Sequence, residues 1–176
     1  LGGSKVDPRY TMFAGFFLQG LSGWYMAQFS INLTMFDVLW TTWVQGLGVG
    51  LIWVPLTIVT FSQLGPKDTA EASSIFHLVR NFGSSVFISV SIAIMIRTGG
   101  MNYAHLSQNI TPLNEALTFQ NSLFSIWSID GIERLAALSG EVGRQAVMIG
   151  YINAFYAFCM TAFAICPFLF LAKVKK

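Results

Sequence analysis

Charge is what this sequence has least of. Only 10% of its 176 residues are Asp, Glu, Lys or Arg, against about 25% in an ordinary soluble domain. Ten basic and eight acidic side chains cannot coat a water-soluble body of this size when 54% of the residues are hydrophobic. The excess apolar surface must face something other than water, and lipid is the obvious solvent. The net charge of +2 is small, and no basic stripe with interleaved aromatics appears, which excludes a nucleic-acid partner. Cysteine is also scarce. Cys159 and Cys166 lie seven apart in one apolar run, and they read as small buried hydrophobes, not as a disulfide or a metal site. Catalytic sets are lacking too: no nucleophile has a plausible His and acid, and Gly46-Leu47-Gly48-Val49-Gly50 misses the dinucleotide-binding pattern. These absences argue against an enzyme and against any bound cofactor. No internal repeat and no basic-apolar-small signal pattern is visible. The chain opens at Leu1 in a polar stretch, residues 1–9, that reads as a cytoplasmic loop. The expectation is a segment that starts partway through a longer protein.

What the sequence does have is four long apolar runs: residues 10–31, 38–61, 75–96 and 146–172. The third contains His77 and Arg80; the others are uncharged. A helix of 22 residues rises about 33 Å, enough for a hydrocarbon core of about 30 Å. Within lipid the backbone must satisfy its own hydrogen bonds, so such runs become helices. The fold expected is an all-α polytopic membrane protein with four transmembrane helices. A soluble bundle would need polar faces at helical period, which three of the runs lack.

The connections set the orientation. Lys5, Arg9, Lys67 in the loop 62–74, and Lys173, Lys175 and Lys176 in the tail 173–176 all fall on one side. The short first loop on the other side has no Lys or Arg. The positive-inside rule then places both termini in the cytoplasm. The third connection, residues 97–145, is too long to be a plain link and reads as a periplasmic loop with amphipathic helices over 114–127 and 132–144. The second of these runs on into the fourth span. The loop either lies on the membrane surface or docks an extracytoplasmic partner.

Chemistry concentrates in the third run. His77, Arg80, Asn81, Ser84 and Ser91 share a helical face. An Arg near the bilayer centre costs a few kcal/mol, so Arg80 must face protein or a cavity, or snorkel to the interface. His77 serves as a structural hydrogen-bonding group or as a proton relay. In the second run Gln45 precedes Gly46 and Gly50, a small-xxx-small pair suited to close helix contact, and Pro55 removes a backbone donor and favours a bend. Those residues suit either a rocking gate or ordinary tight packing. Trp53, with Trp40 and Trp43, lines an aromatic cavity or belongs to an interfacial belt.

In order along the chain, these pieces resemble the C-terminal part of EmrB/QacA-type drug:proton antiporters of the major facilitator superfamily, nearest the EmrB branch. Lys5-Val6-Asp7-Pro8-Arg9 looks like the cytoplasmic loop before that family's eleventh of fourteen helices. Gln45-Gly46 through Trp53-Val54-Pro55-Leu56-Thr57 is similar to its twelfth helix. Ala70-Glu71-Ala72-Ser73-Ser74 through Arg80-Asn81-Phe82-Gly83-Ser84-Ser85 resembles the stretch at its thirteenth, and Pro112-Leu113-Asn114 the long periplasmic loop of the EmrB branch. The resemblance implies an inner-membrane multidrug exporter driven by the proton gradient, which acts on amphipathic or cationic drugs by alternating access. It implies a periplasmic membrane-fusion adaptor and an outer-membrane channel as partners, and a C-terminus in the cytoplasm. Gln45, Trp53, His77, Arg80, Asn81 and Phe87 are then the candidate residues of the substrate cavity, with His77, Arg80 and Asn81 as a polar network beside it. Gly46, Gly50, Pro55 and Gly83 are the positions of helix flexibility and packing. The second and third runs would border the cavity, and the first and fourth would brace them.

One departure bears on coupling. Asn153 stands where members of the family often carry an acid, and an amide does not exchange protons at working pH. With no acidic residue inside any of the four runs, the coupling carboxylates are expected elsewhere in the full protein. Two alternatives stay open: a small membrane subunit that does not transport, and an exporter of the same fold for another substrate such as a siderophore or a fatty acid.

Overall fold

A computed structural model describes residues 7–62, 64–65, 68–110 and 132–171. Four helices account for most of them: α1 (Pro8–Met26), α2 (Met35–Phe61), α3 (Thr69–Ser107) and α4 (Ile132–Leu171). No strand occurs among the described residues. The chain is an all-α, multi-pass membrane protein.

Local chemistry explains where the helices start. Asp7 accepts a hydrogen bond from the Arg9 backbone N–H at 3.1 Å and Pro8 takes the first helical position, so α1 begins two residues before its apolar run. In α2 the Asp37 carboxylate accepts from the Thr34 N–H at 3.2 Å, which moves the start forward to Met35. At the head of α3 the Asp68 carbonyl accepts from Ala72 N–H and the Thr69 hydroxyl donates to the Gly65 carbonyl.

α2, α3 and α4 are long and apolar enough to cross a membrane; α1 falls outside that group. All four expected runs are helical, and α1 is the shortest and least apolar of them. The helix in the first run stops at Met26 instead of continuing to residue 31, and its 19 residues rise only about 28 Å. Gly15, Gln19, Gly20, Ser22 and Gly23 dilute the hydropathy of α1, and all five are buried against protein. A helix covered by its neighbours needs less apolarity of its own.

The expected loop 97–145 is shorter at its start, and the helix expected over 132–144 does run on into the fourth span. α3 continues past Ile96 to Ser107, and α4 is already helical at Ile132. With 39 and 40 residues, these helices are about 58 and 60 Å long, twice a hydrocarbon core. The amphipathic stretch 114–127 lies outside the described residues.

The contacts divide the chain into two units. The first comprises residues up to Val90 together with the chain from Phe155 onward. Here α1 and α2 pack antiparallel along a seam of small and polar residues. A Cβ on Gly15 would lie 2.8 Å from the Gly48 carbonyl oxygen, so the backbones are in near contact there. Further along, the Gln19 amide donates to the Gln45 carbonyl at 2.8 Å, and the Ser22 hydroxyl donates to the Thr41 carbonyl at 3.2 Å. Positions 15, 19 and 22 face 48, 45 and 41, spacings of three and four that keep each set on one helix face. The other side of α1 receives aromatic rings of α4. Phe163 sits where a Gly20 side chain would be, and Phe13 meets Phe170 with centroids 5.4 Å apart.

The second unit is residues 91–154, the C-terminal part of α3 against the N-terminal part of α4. A Cβ on Gly150 would lie 2.5 Å from the Met95 carbonyl oxygen, and Gly99 faces the Ala146 carbonyl. The Tyr103 hydroxyl lies 3.0 Å from the Ser139 hydroxyl, and Arg144 pairs with Glu141 at 3.0 Å. A cavity of 240 Å³ opens between Tyr103 and Ser107 of α3, Ile110 just beyond its end, and Leu135 to Val142 of α4.

Candidate functional site

Within the first unit, all four helices contribute to a cavity of 410 Å³. α2 supplies Gln45, Val49, Ile52 and Trp53, spaced four, three and one apart, which is one helix face. α1 supplies Phe16 and Gln19, α3 supplies Phe87, and α4 supplies Phe158, Thr161, Ala162 and Ile165. The volume falls in the range typical of small-molecule sites, and the wall has their usual makeup, apolar and aromatic with a few polar groups. No carboxylate is among the lining residues.

Aromatic contacts hold the wall in place. Phe87 and Phe158 meet edge to face at 6.3 Å between centroids. Trp53 meets Phe76 at 6.0 Å, and Phe76 also meets Phe61 at 5.7 Å. The Arg80 guanidinium carbon lies 4.3 Å from the centroid of the Trp53 ring. That distance makes a cation–π contact. A positive charge thus touches the cavity wall through an aromatic side chain.

Of the candidates named from sequence, Gln45, Trp53 and Phe87 lie in the wall, and Arg80 stacks against it. His77 and Asn81 do not. His77 contacts the ring of its neighbour Phe76 at 5.7 Å, and the Asn81 carbonyl accepts from the Ser84 hydroxyl at 2.9 Å. Among the described residues no hydrogen bond joins His77, Arg80 and Asn81 to one another. All three side chains leave one exposed face of α3 side by side, and only Arg80 reaches across to α2.

The packing glycines also differ from expectation. A Cβ on Gly46, Gly50 or Gly83 would meet nothing within 4 Å. Gly48 makes the close contact instead, because two residues along a helix is about 200° of rotation, which puts Gly46 and Gly50 on the far side. Pro55 is buried inside α2, which stays helical from Met35 to Phe61. The lining residues the sequence reading missed are Val49 and Ile52 of α2 and, from the helices it assigned to bracing, Phe16 and Gln19 of α1 and the four lining residues of α4. Gln19 had a legible signal. It sits midway between Gly15 and Gly23 at intervals of four, a polar residue on a small-residue face.

Comparison with known proteins bears on this arrangement. No family model and no solved structure matches the chain. Among curated proteins, the fatty acid resistance protein FarB of Neisseria gonorrhoeae is 25% identical over 171 residues, 97% of this chain and 34% of FarB. The multidrug export protein EmrB of Haemophilus influenzae is 25% identical over 172 residues, again 97% of this chain and 34% of the relative. The colistin resistance protein EmrB of Acinetobacter baumannii is 27% identical over 145 residues, 82% of this chain and 26% of its own length. The chain thus spans about a third of the length of the first two. The resemblance to EmrB-type proteins extends along nearly its whole length. These relatives are named for export and resistance, not for catalysis.

Proposed function

We propose that this chain is the C-terminal part of a proton-coupled exporter of amphipathic compounds in the bacterial inner membrane. The observation that carries the reading is the 410 Å³ cavity, walled by Trp53, Phe87 and Phe158 in helices of a membrane protein. Such a wall takes up the apolar body of a drug and suits alternating access of the major facilitator type. Proton coupling is assigned to carboxylates outside this chain, since the cavity holds none. The C-terminus lies in the cytoplasm by the positive-inside rule. A membrane-fusion adaptor and an outer-membrane channel complete the route, with residues 97–145 as the adaptor's contact. Deletion of residues 111–139 tests that contact by co-purification, and unaltered adaptor recovery removes it.

The exporter reading is tested in the full-length protein, in a strain lacking its own efflux systems. Export of organic cations or neutral amphipaths that Phe87→Ala diminishes at equal expression supports it. The absence of any exported compound overturns it. Ten further spanning helices are expected upstream in the gene; their absence favours the small non-transporting subunit.

A second reading rests on a different observation. Arg80 against Trp53 is the charge that touches this wall, and it is positive. That favours acidic amphipaths such as long-chain fatty acids over cationic drugs. FarB is named for fatty acid resistance. A panel that pairs long-chain fatty acids with organic cations of similar size separates the two by which class confers the survival advantage.

A further inference from the structure

The polar side chains in the cavity wall are unequal. The Gln19 amide donates to the Gln45 backbone carbonyl at 2.8 Å, and the Thr161 hydroxyl donates to the Phe158 carbonyl at 2.8 Å. Both are tied to the helices that build the wall. Among the described residues, the Gln45 side-chain amide carries no hydrogen bond. Its backbone carbonyl pins α1 to α2 while its side chain has no structural duty. Gln45 is half-buried in a wall that is otherwise largely apolar, and its amide offers two N–H donors and a carbonyl acceptor to whatever enters the cavity.

We propose that Gln45 is a specificity-determining hydrogen-bond anchor for the polar head of an amphipathic substrate. The partner it fits is a neutral group that both donates and accepts, a carboxamide or a protonated carboxyl, because two hydrogen bonds then form face to face with its amide. The apolar body of the substrate runs along Val49 and Ile52 toward Trp53. Eight residues separate Gln45 from Trp53, about 12 Å along the helix, a length that suits a fused aromatic ring system. This rests on the exporter reading for its biological meaning but not for its measurement.

Purified full-length protein is tested for equilibrium binding of radiolabelled 2-naphthamide and of 2-isopropylnaphthalene, a hydrocarbon of matched shape. The wild type is expected to prefer the amide. Gln45→Met keeps the length of the side chain and the backbone carbonyl, and is expected to weaken amide binding about tenfold, in keeping with the loss of two neutral hydrogen bonds. Hydrocarbon binding is expected to stay within about twofold, as only the polar group is affected. Gln19→Leu breaks the pin instead and should weaken both ligands alike, which marks what a merely structural change looks like. Equal loss of both ligands in Gln45→Met, an unchanged preference, or no binding of either ligand overturns the anchor. If the amide binds with the expected dependence on Gln45 but is not exported, the anchor stands and the exporter reading falls. Export of the amide that is indifferent to Gln45→Met has the opposite meaning.

Discussion

Arg80 shows what one side chain contributes to this wall. Its guanidinium covers the Trp53 ring, so the charge is partly balanced by the aromatic quadrupole without any carboxylate. Arg80→Ala in the full-length protein should lower export while leaving the amount of protein in the membrane unchanged. Equal drug or fatty acid resistance at equal expression would reject a transport role for the residue. Two glycines make a sharper contrast. Gly15→Val puts a side chain into the Gly48 backbone, and overpacking of that kind costs about 1–3 kcal/mol. Gly46→Ala meets open space in this chain, and the gain in helix propensity should offset any loss. Thermal unfolding of the two variants should therefore differ, with Gly15→Val melting lower. A drop for Gly46→Ala as large as that for Gly15→Val would mean that the remaining part of the protein packs on the far face of α2.

At the scale of elements, the sequence was most readable where polarity is lowest. Long apolar runs located all four helices, because lipid forces helices on any such run. The polar and small residues inside α1 were not legible as a contact face, because a scan by charge passes over them. Gln19 and Ser22 are uncharged, yet they bond to the backbone of α2. The cavity was legible from α2, whose Gln45 and Trp53 stood out, and not from α4. Phe158, Ala162 and Ile165 are ordinary apolar residues in an apolar run, and nothing local separates a cavity face from a lipid face. The far end of α3 was hidden for another reason: the sequence turns polar after Ile96, and a change of solvent was taken for the end of a helix, whereas the amphipathic spacing over 132–144 did mark the start of α4. Tyr103→Phe tests how firmly that extension is held. Loss of the contact with Ser139 should destabilise it by about 0.5–1.5 kcal/mol, seen as faster amide exchange around residues 99–107 with no change around residues 41–53.

For the molecule as a whole, the distribution of exposure matters more than any single contact. From His77 to Val90 every residue of α3 is exposed, including Phe82, which is 71% exposed. Such a face needs lipid or more protein around it. The seam between α1 and α2 has a mechanical consequence. Glycine contact at one end and two interhelical hydrogen bonds along it make the two helices a single beam. Across the cavity, the rings of Phe87 and Phe158 meet edge to face, and that contact involves no hydrogen bond between the two side chains. A swing that opens the cavity is therefore expected on that side and not within the seam. A thiol crosslinker joining Ser22→Cys to Thr41→Cys should leave export running, while the same reagent joining Phe87→Cys to Phe158→Cys should halt it. The reverse result would place the hinge inside the beam.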